Sequence, residues 1–169
     1  MADMEAEPVS IPMTVSVPYR FAAGRYLAKC LTELRDHGKL YAVECPKCGR
    51  VQLPPRVVCA QCHVRNGRWV ELGDEGTLVG FTIMYLPLTD PTTGKPHHPP
   101  FVYGSVRLDG ATSVVDHFVR VEPEIEKVWV GMRCRMVLRP KEARIGDLSD
   151  ILCFDPLPGQ KRPEDGMRG

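Results

Sequence analysis

Two kinds of hydrophobic periodicity divide this sequence. Within residues 19–37 the apolar side chains recur at spacings of three and four, which predicts an amphipathic helix that ends at Gly38. After it come short segments that are rich in β-branched and aromatic residues and bounded by Gly, Pro and Asp, and these predict strands. The segments are residues 39–43, 69–72, 77–86, 101–108, 112–119, 133–139 and 151–154. The pattern therefore predicts a mainly β protein with an N-terminal helix.

The apolar face of the predicted helix has two interpretations. It contains Phe21, Leu27, Leu31 and Leu34. An exposed apolar face marks a docking surface, which would make these four residues a partner interface. Alternatively, the face packs on the chain's own domain. The sequence leaves both interpretations open.

Four of the seven cysteines form two CxxC pairs. Cys45 and Cys48 are followed ten residues later by Cys59 and Cys62. Two residues between cysteines let one tight turn present both thiolates to a single ion, and two such turns complete a tetrahedral site. Four protein ligands leave no open coordination position, so the predicted metal is structural. Zinc fits best, and iron in a rubredoxin-like site is the alternative with the same ligands.

Other chemistry of these cysteines is disfavoured. The sequence from Cys59 to His63 matches the haem-attachment pattern CxxCH, but no export signal precedes it and the first CxxC pair would stay unexplained. The remaining cysteines lie in apolar segments without a neighbouring histidine and are predicted to be buried hydrophobic residues. They are Cys30, Cys134 and Cys153. No P-loop, GxSxG or HExxH pattern is present, so the chain offers no catalytic set of its own.

The strand pattern and the cysteine motifs predict four parts. An N-terminal arm and docking helix occupy residues 1–38, and a rubredoxin-like zinc ribbon occupies residues 39–68. A five-stranded barrel of the OB type follows over residues 69–155, and a polar C-terminal tail over residues 156–169.

Two connections in the predicted barrel stand out. Residues 87–100 form a long Pro-rich loop, and loops of this length inside a compact domain are usually functional or disordered. Residues 122–130 have the pattern of a single helical turn.

Composition narrows the class of partner. Among 169 residues, 22 are Lys or Arg and 21 are Asp or Glu, and this balance disfavours nucleic acid as the ligand. The alternative function, single-stranded nucleic-acid binding by an OB-fold, would use strand aromatics as stacking platforms. The candidates are Phe81, Tyr85, Phe101 and Tyr103. The sequence has no secretory signal and no apolar run of about 18 residues, so we expect a cytoplasmic protein with no membrane segment.

Five short motifs resemble the acyl-CoA-associated zinc-ribbon/OB-fold family. The resemblance covers roughly residues 19–155. The motifs are Gly38-Lys39-Leu40, Cys45-Pro-Lys-Cys48-Gly49, Pro54-Pro55-Arg56, residues 75–82 (EGTLVGFT) and Gly131-Met132-Arg133-Cys134. Cys134 departs from the valine that is usual in the last motif. Within the family, the chain looks most like the small subunits of benzoylsuccinyl-CoA thiolases.

The resemblance implies a non-catalytic subunit of an acyltransferase complex. Such subunits form hetero-oligomers with a thiolase-like large subunit, a hydroxymethylglutaryl-CoA synthase or a thiolase-fold aldolase. For this chain it implies support of acyl-CoA conversion, in the narrowest form the thiolytic cleavage of benzoylsuccinyl-CoA in anaerobic toluene degradation. The cationic side chains of Lys47, Arg50 and Arg56 are the candidates to contact CoA at a shared site, because phosphates favour Arg forks and Lys point charges.

Overall fold

The computed structural model describes residue 10, residues 21–89 and residues 94–163. Apart from residue 10, the predicted N-terminal arm lies outside these ranges, as do the last residues of the predicted tail. In the described part, one helix and ten strands follow in the order α1 (Gly24–His37), β1 (Leu40–Glu44), β2 (Val51–Gln52), β3 (Arg68–Leu72), β4 (Glu75–Met84), β5 (Leu88–Thr89), β6 (Pro96–His97), β7 (Phe101–Leu108), β8 (Val115–Val119), β9 (Arg133–Leu138) and β10 (Ile151–Pro156). Single turns of 3₁₀ helix lie at Lys141–Ala143 and Leu148–Asp150. Within the described ranges, no helix has both the length and the apolar character needed to cross a membrane.

Helix α1 begins later than the hydrophobic pattern predicts. Residues 21–23 are not helical, and Phe21 is 73% exposed. The helix ends where predicted, because Gly38 adopts φ 68° and its N–H bonds to the carbonyl of Leu34 at 3.0 Å.

A small three-stranded sheet forms the first part of the structure. Its order is β2–β1–β3, and all neighbours are antiparallel. Strand β1 is central because its apolar residues Leu40, Ala42 and Val43 are buried. Helix α1 packs on this sheet and buries Cys30 and Leu34 there.

The remaining long strands close a five-stranded barrel in the order β10–β8–β7–β4–β9. Its longest ladder joins β4 to β7, from Gly76↔Leu108 to Met84↔Phe101. Gly104 has no side chain at a point where a Cβ atom would lie 2.5 Å from a methyl group of Leu78, so the close packing of β4 on β7 requires glycine. The barrel interior is filled by Leu78, Val102, Val106, Met132, Met136 and Phe154. The predicted class, mainly β with a ribbon followed by a five-stranded barrel, is confirmed.

Three predicted elements in this part need correction. Strand β8 starts at Val115 and not at residue 112, because Thr112 and Ser113 are used in contacts with the first sheet. The loop predicted over residues 87–100 contains the hairpin of β5 and β6, paired through Leu88↔His97. Residues 122–130 are not helical, although the N–H of Lys127 bonds to the carbonyl of Glu124 at 3.0 Å.

The turn between β7 and β8 joins the barrel to the first sheet. The Ser113 hydroxyl accepts from the Leu53 N–H and donates to the Leu53 carbonyl, both at 2.7 Å. The N–H and the hydroxyl of Thr112 donate to the Val51 carbonyl, each at 2.9 Å. These four bonds fix the orientation of the ribbon on the barrel.

The connection between β9 and β10 makes a second junction. The buried carboxylate of Asp150 accepts from the N–H groups of Ile145 and Gly146 at 2.9 and 2.8 Å. The loop held in this way packs on α1, and a Cβ atom at Gly146 would lie 3.5 Å from the Arg35 side chain. The helix therefore lies between the first sheet and the barrel's last connection.

Candidate metal centre

The two CxxC segments fold into turns with the same hydrogen-bond pattern, here called the metal-binding turns (residues 45–50 and 59–64). In the first, the Cys45 carbonyl accepts from the Gly49 N–H at 3.0 Å and the Cys45 N–H donates to the Arg50 carbonyl at 2.9 Å. In the second, the Cys59 carbonyl accepts from the His63 N–H and the Cys59 N–H donates to the Val64 carbonyl, both at 2.9 Å. Each turn therefore presents its two sulfurs in the same way.

The fifth residue of each turn has a left-handed backbone. Gly49 has φ 70°, which glycine adopts without a steric penalty and which its position after Cys48 predicts. His63 has φ 55° at the equivalent position and is the one non-glycine residue with positive φ in the described ranges. The turn therefore requires a left-handed backbone at this position, and His63 adopts it at a cost in backbone strain.

The four sulfurs fit one tetrahedral ion. The Sγ atoms of Cys45, Cys48, Cys59 and Cys62 all lie within 4.8 Å of one another. Those of Cys48 and Cys59 are 3.8 Å apart. A tetrahedral ion with Zn–S bonds of about 2.3 Å needs sulfurs about 3.8 Å apart, so the geometry fits zinc-sized ions.

The electrostatics of the cluster also favour a cation. The N–H groups of Cys62 and Gln61 lower the pKa of the Cys59 thiol to about 7. The sulfur of Cys48, followed by burial and the sulfur of Cys45, raises the pKa of the Cys62 thiol to about 12. Four thiolates this close repel one another, and a divalent cation removes that repulsion.

Two amide side chains behind the second turn support the cluster. Gln52 on β2 donates its Nε2 to the Cys59 sulfur at 3.7 Å. The buried Nδ2 of Asn66 donates to Gln52 Oε1 at 3.0 Å and to the Arg56 carbonyl at 2.8 Å. The hydrogen bonds from Asn66 to Gln52 and from Gln52 to Cys59 therefore connect the metal-binding turns to the ribbon's interior. Sequence reasoning missed both amides, because nothing in their local sequence marks them.

Helix α1 is anchored to the same ribbon. The Tyr26 hydroxyl donates to the Asn66 carbonyl at 3.0 Å, and its ring lies 5.2 Å from that of Trp69. The Lys29 ammonium lies 4.4 Å from the Trp69 ring centroid in a cation–π contact.

The structure separates the four residues predicted at a partner interface. Leu34 is fully buried against the chain's own core, so its assignment to a partner surface is corrected. Leu27 and Leu31 are half-buried on α1, and Phe21 lies exposed before the helix begins. The helix thus packs on its own domain with one part of its apolar face and leaves a smaller part accessible.

The predicted CoA-contacting residues lie on the surface of the ribbon. Lys47, Arg50 and Arg56 are exposed, and in the described part of the chain none of their side chains forms an ion pair. Residues 45–67 also contain Arg65 and no Asp or Glu. The metal-binding turns therefore expose four cationic side chains with no carboxylate among residues 45–67, and the opposing charge in that segment is that of the thiolates themselves.

The other predicted residues divide between core and surface. Cys30, Cys134 and Cys153 are buried, and burial raises the pKa of Cys134 and Cys153 to about 11, which keeps them as thiols. Of the four aromatic candidates, only Phe101 and Tyr103 come together. Their rings lie 5.2 and 5.5 Å from Phe118. Phe81 packs against the core and Tyr85 is exposed, so the four do not form one stacking platform.

Comparisons with known proteins agree with this architecture. Residues 32–66 match the rubredoxin-like zinc ribbon domain of ChsH2, and residues 69–139 match the C-terminal OB-fold domain of ChsH2. The chain therefore combines a ChsH2-type zinc ribbon domain with a ChsH2-type OB-fold domain.

Two similar proteins are described as DUF35 domain-containing scaffold proteins. The one from Methanothermobacter thermautotrophicus is 29% identical over 115 residues, which cover 67% of this chain and 83% of that protein. The one from Methanocaldococcus jannaschii is 22% identical over 107 residues, which cover 63% of this chain and 72% of that protein. A solved structure described as an Ltp2-ChsH2(DUF35) aldolase is 22% identical, has a TM-score of 0.56 and covers 81% of this chain and 98% of that one. This structural likeness shows the shared fold.

Proposed function

We propose that this chain is a non-catalytic subunit that assembles with a thiolase-fold enzyme in a hetero-oligomer and supports acyl-CoA conversion. One observation carries the proposal: all four clustered cysteines face one another as a closed ligand set, and the other three cysteines are buried. Cys153 donates its thiol to the Asp155 carboxylate at 3.4 Å, but burial and this bond raise the pKa of Cys153 to about 11, so neither group supplies an accessible thiolate nucleophile. The relatives described as scaffold proteins and the structure described as an aldolase with a ChsH2 component support an assembly role.

The metal proposed for the four cysteines is zinc, and Cys45, Cys48, Cys59 and Cys62 would hold it. Bound there, zinc supplies structural cross-linking of the two metal-binding turns, and no open position remains for a substrate. Iron, the alternative ion, is distinguished by the visible absorption of iron–thiolate centres. Elemental analysis of freshly purified chain should give one zinc per chain, and a preparation without stoichiometric zinc or iron would contradict the proposal.

The cationic surface of the ribbon is proposed to contact the nucleotide end of CoA. Lys47, Arg50 and Arg56 surround the metal-binding turns without competing carboxylates in residues 45–67. A 3′-phosphate or pyrophosphate binds such groups through charge-assisted hydrogen bonds. Binding energy from this remote end holds the reacting thioester in place at the enzyme's own catalytic groups.

The reaction proposed for the complex is thiolysis of a 3-keto acyl-CoA. On the large subunit, the CoA thiol gives its proton to a base and the sulfur attacks the 3-keto carbon. The bond between carbons 2 and 3 then breaks, and carbon 2 takes up a proton, so that a new thioester and a shortened acyl-CoA are formed. Benzoylsuccinyl-CoA is the substrate that the family resemblance selects.

Co-purification from the native cell tests the proposed function. Tagged full-length chain should recover a thiolase-fold enzyme in a fixed molar ratio, and mass spectrometry identifies it. A hydroxymethylglutaryl-CoA synthase or an aldolase in the same position would correct the partner but keep the subunit role. Recovery of the chain alone, or with single-stranded nucleic acid that is released by salt, would overturn the proposal.

The CoA contact needs a separate test in the purified complex. Arg56→Ala should raise the KM for CoA severalfold while the complex stays assembled, and Lys161→Ala, which removes an exposed charge in the C-terminal segment, is the matched control. Equal CoA dependence of the two variants would remove Arg56 from the site.

A further inference from the structure

The N-terminal half of helix α1, residues 24–29, has little local support as a helix. Its N-cap, Ala23, makes no side-chain hydrogen bond, and the first turn contains no acidic residue. A capping side chain satisfies free N–H groups at a helix N-terminus, and an acidic residue there interacts favourably with the helix dipole. Arg25 instead places a positive charge at the positive end of the dipole. Contacts with the rest of the protein therefore hold this half in place.

The C-terminal half of α1, residues 30–37, is held by the protein core. Cys30 and Leu34 are buried there. The β9–β10 connection also lies against this half, since a Cβ atom at Gly146 would lie 3.5 Å from the Arg35 side chain. In contrast, no residue of the N-terminal half, which lies wholly within the described ranges, is fully buried. The N-terminal half thus depends on a few contacts near the surface.

Those contacts are made with the ribbon, close to the second metal-binding turn. The Tyr26 hydroxyl donates to the Asn66 carbonyl at 3.0 Å, and the rings of Tyr26 and Trp69 lie 5.2 Å apart. The Lys29 ammonium lies 4.4 Å from the Trp69 ring centroid and 5.6 Å from that of Tyr41. Asn66 and Trp69 both follow the last cysteine of the cluster closely in the sequence. The position of the N-terminal half is therefore set by the ribbon.

Asn66 connects these contacts to the metal-binding turns. Its N–H donates to the Val57 carbonyl at 2.9 Å, and its Nδ2 donates to the Arg56 carbonyl at 2.8 Å. These two bonds join the chain segments that enter and leave the second turn. The same Nδ2 donates to Gln52, which in turn donates to the Cys59 sulfur. Because a metal ion holds the two turns together, the position of Asn66 depends on the metal.

We propose that the occupied metal centre holds the N-terminal half of α1 through Asn66, so that loss of the metal frees this half while the C-terminal half stays docked. The inference rests on the metal proposed for the four cysteines, and it goes beyond the proposed function because it gives the centre an effect on a helix that supplies no ligand. The coupling is reciprocal, so the helix contact also raises the ribbon's affinity for the metal. Leu27, in the accessible part of the apolar face, lies in the controlled half.

Amide hydrogen exchange of the full-length chain, with zinc and after its removal by a chelator, tests the coupling. The informative amides are those of residues 28–30, because they bond to carbonyls within the N-terminal half. Removal of zinc should speed their exchange by about tenfold or more. The amides of residues 34–37, which bond to carbonyls of the C-terminal half, should change by less than about threefold.

Tyr26→Phe, with zinc bound, isolates the link to Asn66. The variant keeps the ring but removes the hydroxyl that donates to the Asn66 carbonyl. Exchange of the amides of residues 28–30 should therefore rise about fivefold in the zinc-loaded variant. The matched control is Tyr41→Phe, which removes a hydroxyl that donates to Glu71 at 2.8 Å on the ribbon's own sheet. It should leave these amides unchanged.

The zinc content of each sample separates the possible failures. A chain that binds no metal would overturn both this inference and the proposed metal centre. Equal exchange of residues 28–30 with and without zinc, in a chain that binds it, would overturn the coupling and leave the metal centre standing. Uniform acceleration over both halves would also overturn it, because the C-terminal half would then depend on the metal as well. Equal effects of Tyr26→Phe and Tyr41→Phe would overturn the role of Asn66 as the link.

Discussion

Replacing Asn66 by alanine should weaken metal binding, although Asn66 is not a ligand. Its Nδ2 donates to Gln52 Oε1 at 3.0 Å and to the Arg56 carbonyl at 2.8 Å, and Gln52 in turn donates to the Cys59 sulfur. Alanine removes both donors and frees Gln52 to rotate away from the sulfur. The second metal-binding turn then loses its support from inside the ribbon.

The magnitude follows from the bonds lost. Each hydrogen bond contributes a net stabilisation of about 0.5–1.5 kcal/mol, and a buried carbonyl left without its donor costs about 1–3 kcal/mol. The expected loss in the Asn66→Ala ribbon is therefore about 2–4 kcal/mol. Because metal binding and folding of such a ribbon are coupled, a loss of about 3 kcal/mol lowers the metal affinity by about two orders of magnitude.

Competition with a chromophoric zinc chelator measures this affinity in the full-length chain. Asn66→Asp is the sharper companion variant, since it keeps the shape but places an acceptor against two acceptor oxygens, and it should bind metal no better than the alanine variant. Tyr26→Phe removes only the bond to the Asn66 carbonyl and should cost about 1 kcal/mol. An Asn66→Ala chain with wild-type chelator competition, or an Asn66→Asp chain that keeps its zinc, would refute the reasoning.

Variants at three further positions test other parts of the fold. Gln160→Ala should lower the Tm by about 3–10 °C in a thermal scan. The reason is that the Gln160 side chain accepts from the Arg133 N–H at 2.6 Å and donates to the Arg133 carbonyl at 2.7 Å. An unchanged Tm would contradict this prediction. The Arg133 guanidinium lowers the pKa of Asp109, so the folded state binds fewer protons there than the unfolded state and loses stability as the pH falls through the carboxyl range. Arg133→Met should make this loss of unfolding free energy with falling pH shallower, as measured by denaturant titrations at several pH values. An equally steep loss in the variant and the wild type would show that the ion pair does not contribute to it. His63→Gly should keep full zinc affinity, whereas His63→Val should lose about 1–3 kcal/mol of stability because a β-branched residue resists the φ of 55°; equal stability of the two would exclude backbone strain.

The elements that the sequence predicts well are those defined by local chemistry. Both CxxC pairs form the turns that their spacing predicts. Gly38 ends α1 as predicted, because the left-handed backbone of a helix C-cap depends on the conformational freedom of that one residue and not on distant contacts. Strand β7 has the predicted bounds, since alternation of buried and exposed residues is regular from Phe101 to Leu108.

The features that the sequence misses depend on residues far apart in the chain. The hydrophobic pattern places Ser113 in a strand, but its hydroxyl bonds to Leu53, 60 positions earlier. The helical pattern places Leu34 on the same apolar face as Leu31, but its burial depends on the position of β1 beneath α1. Asn66 serves the metal-binding turns only because the ribbon folds it back against Gln52 and Arg56. Periodicity reports which face of an element is apolar, but it does not report what covers that face.

Reconstitution of activity tests the central proposal most directly. Zinc-loaded full-length chain is titrated into the isolated large subunit of the co-purified complex, and thiolytic cleavage of the 3-keto acyl-CoA substrate is followed at saturating CoA. A subunit role predicts no turnover by this chain alone and a rise in the large subunit's activity that saturates at a fixed molar ratio. Full activity of the large subunit by itself, or turnover by this chain alone, would contradict it.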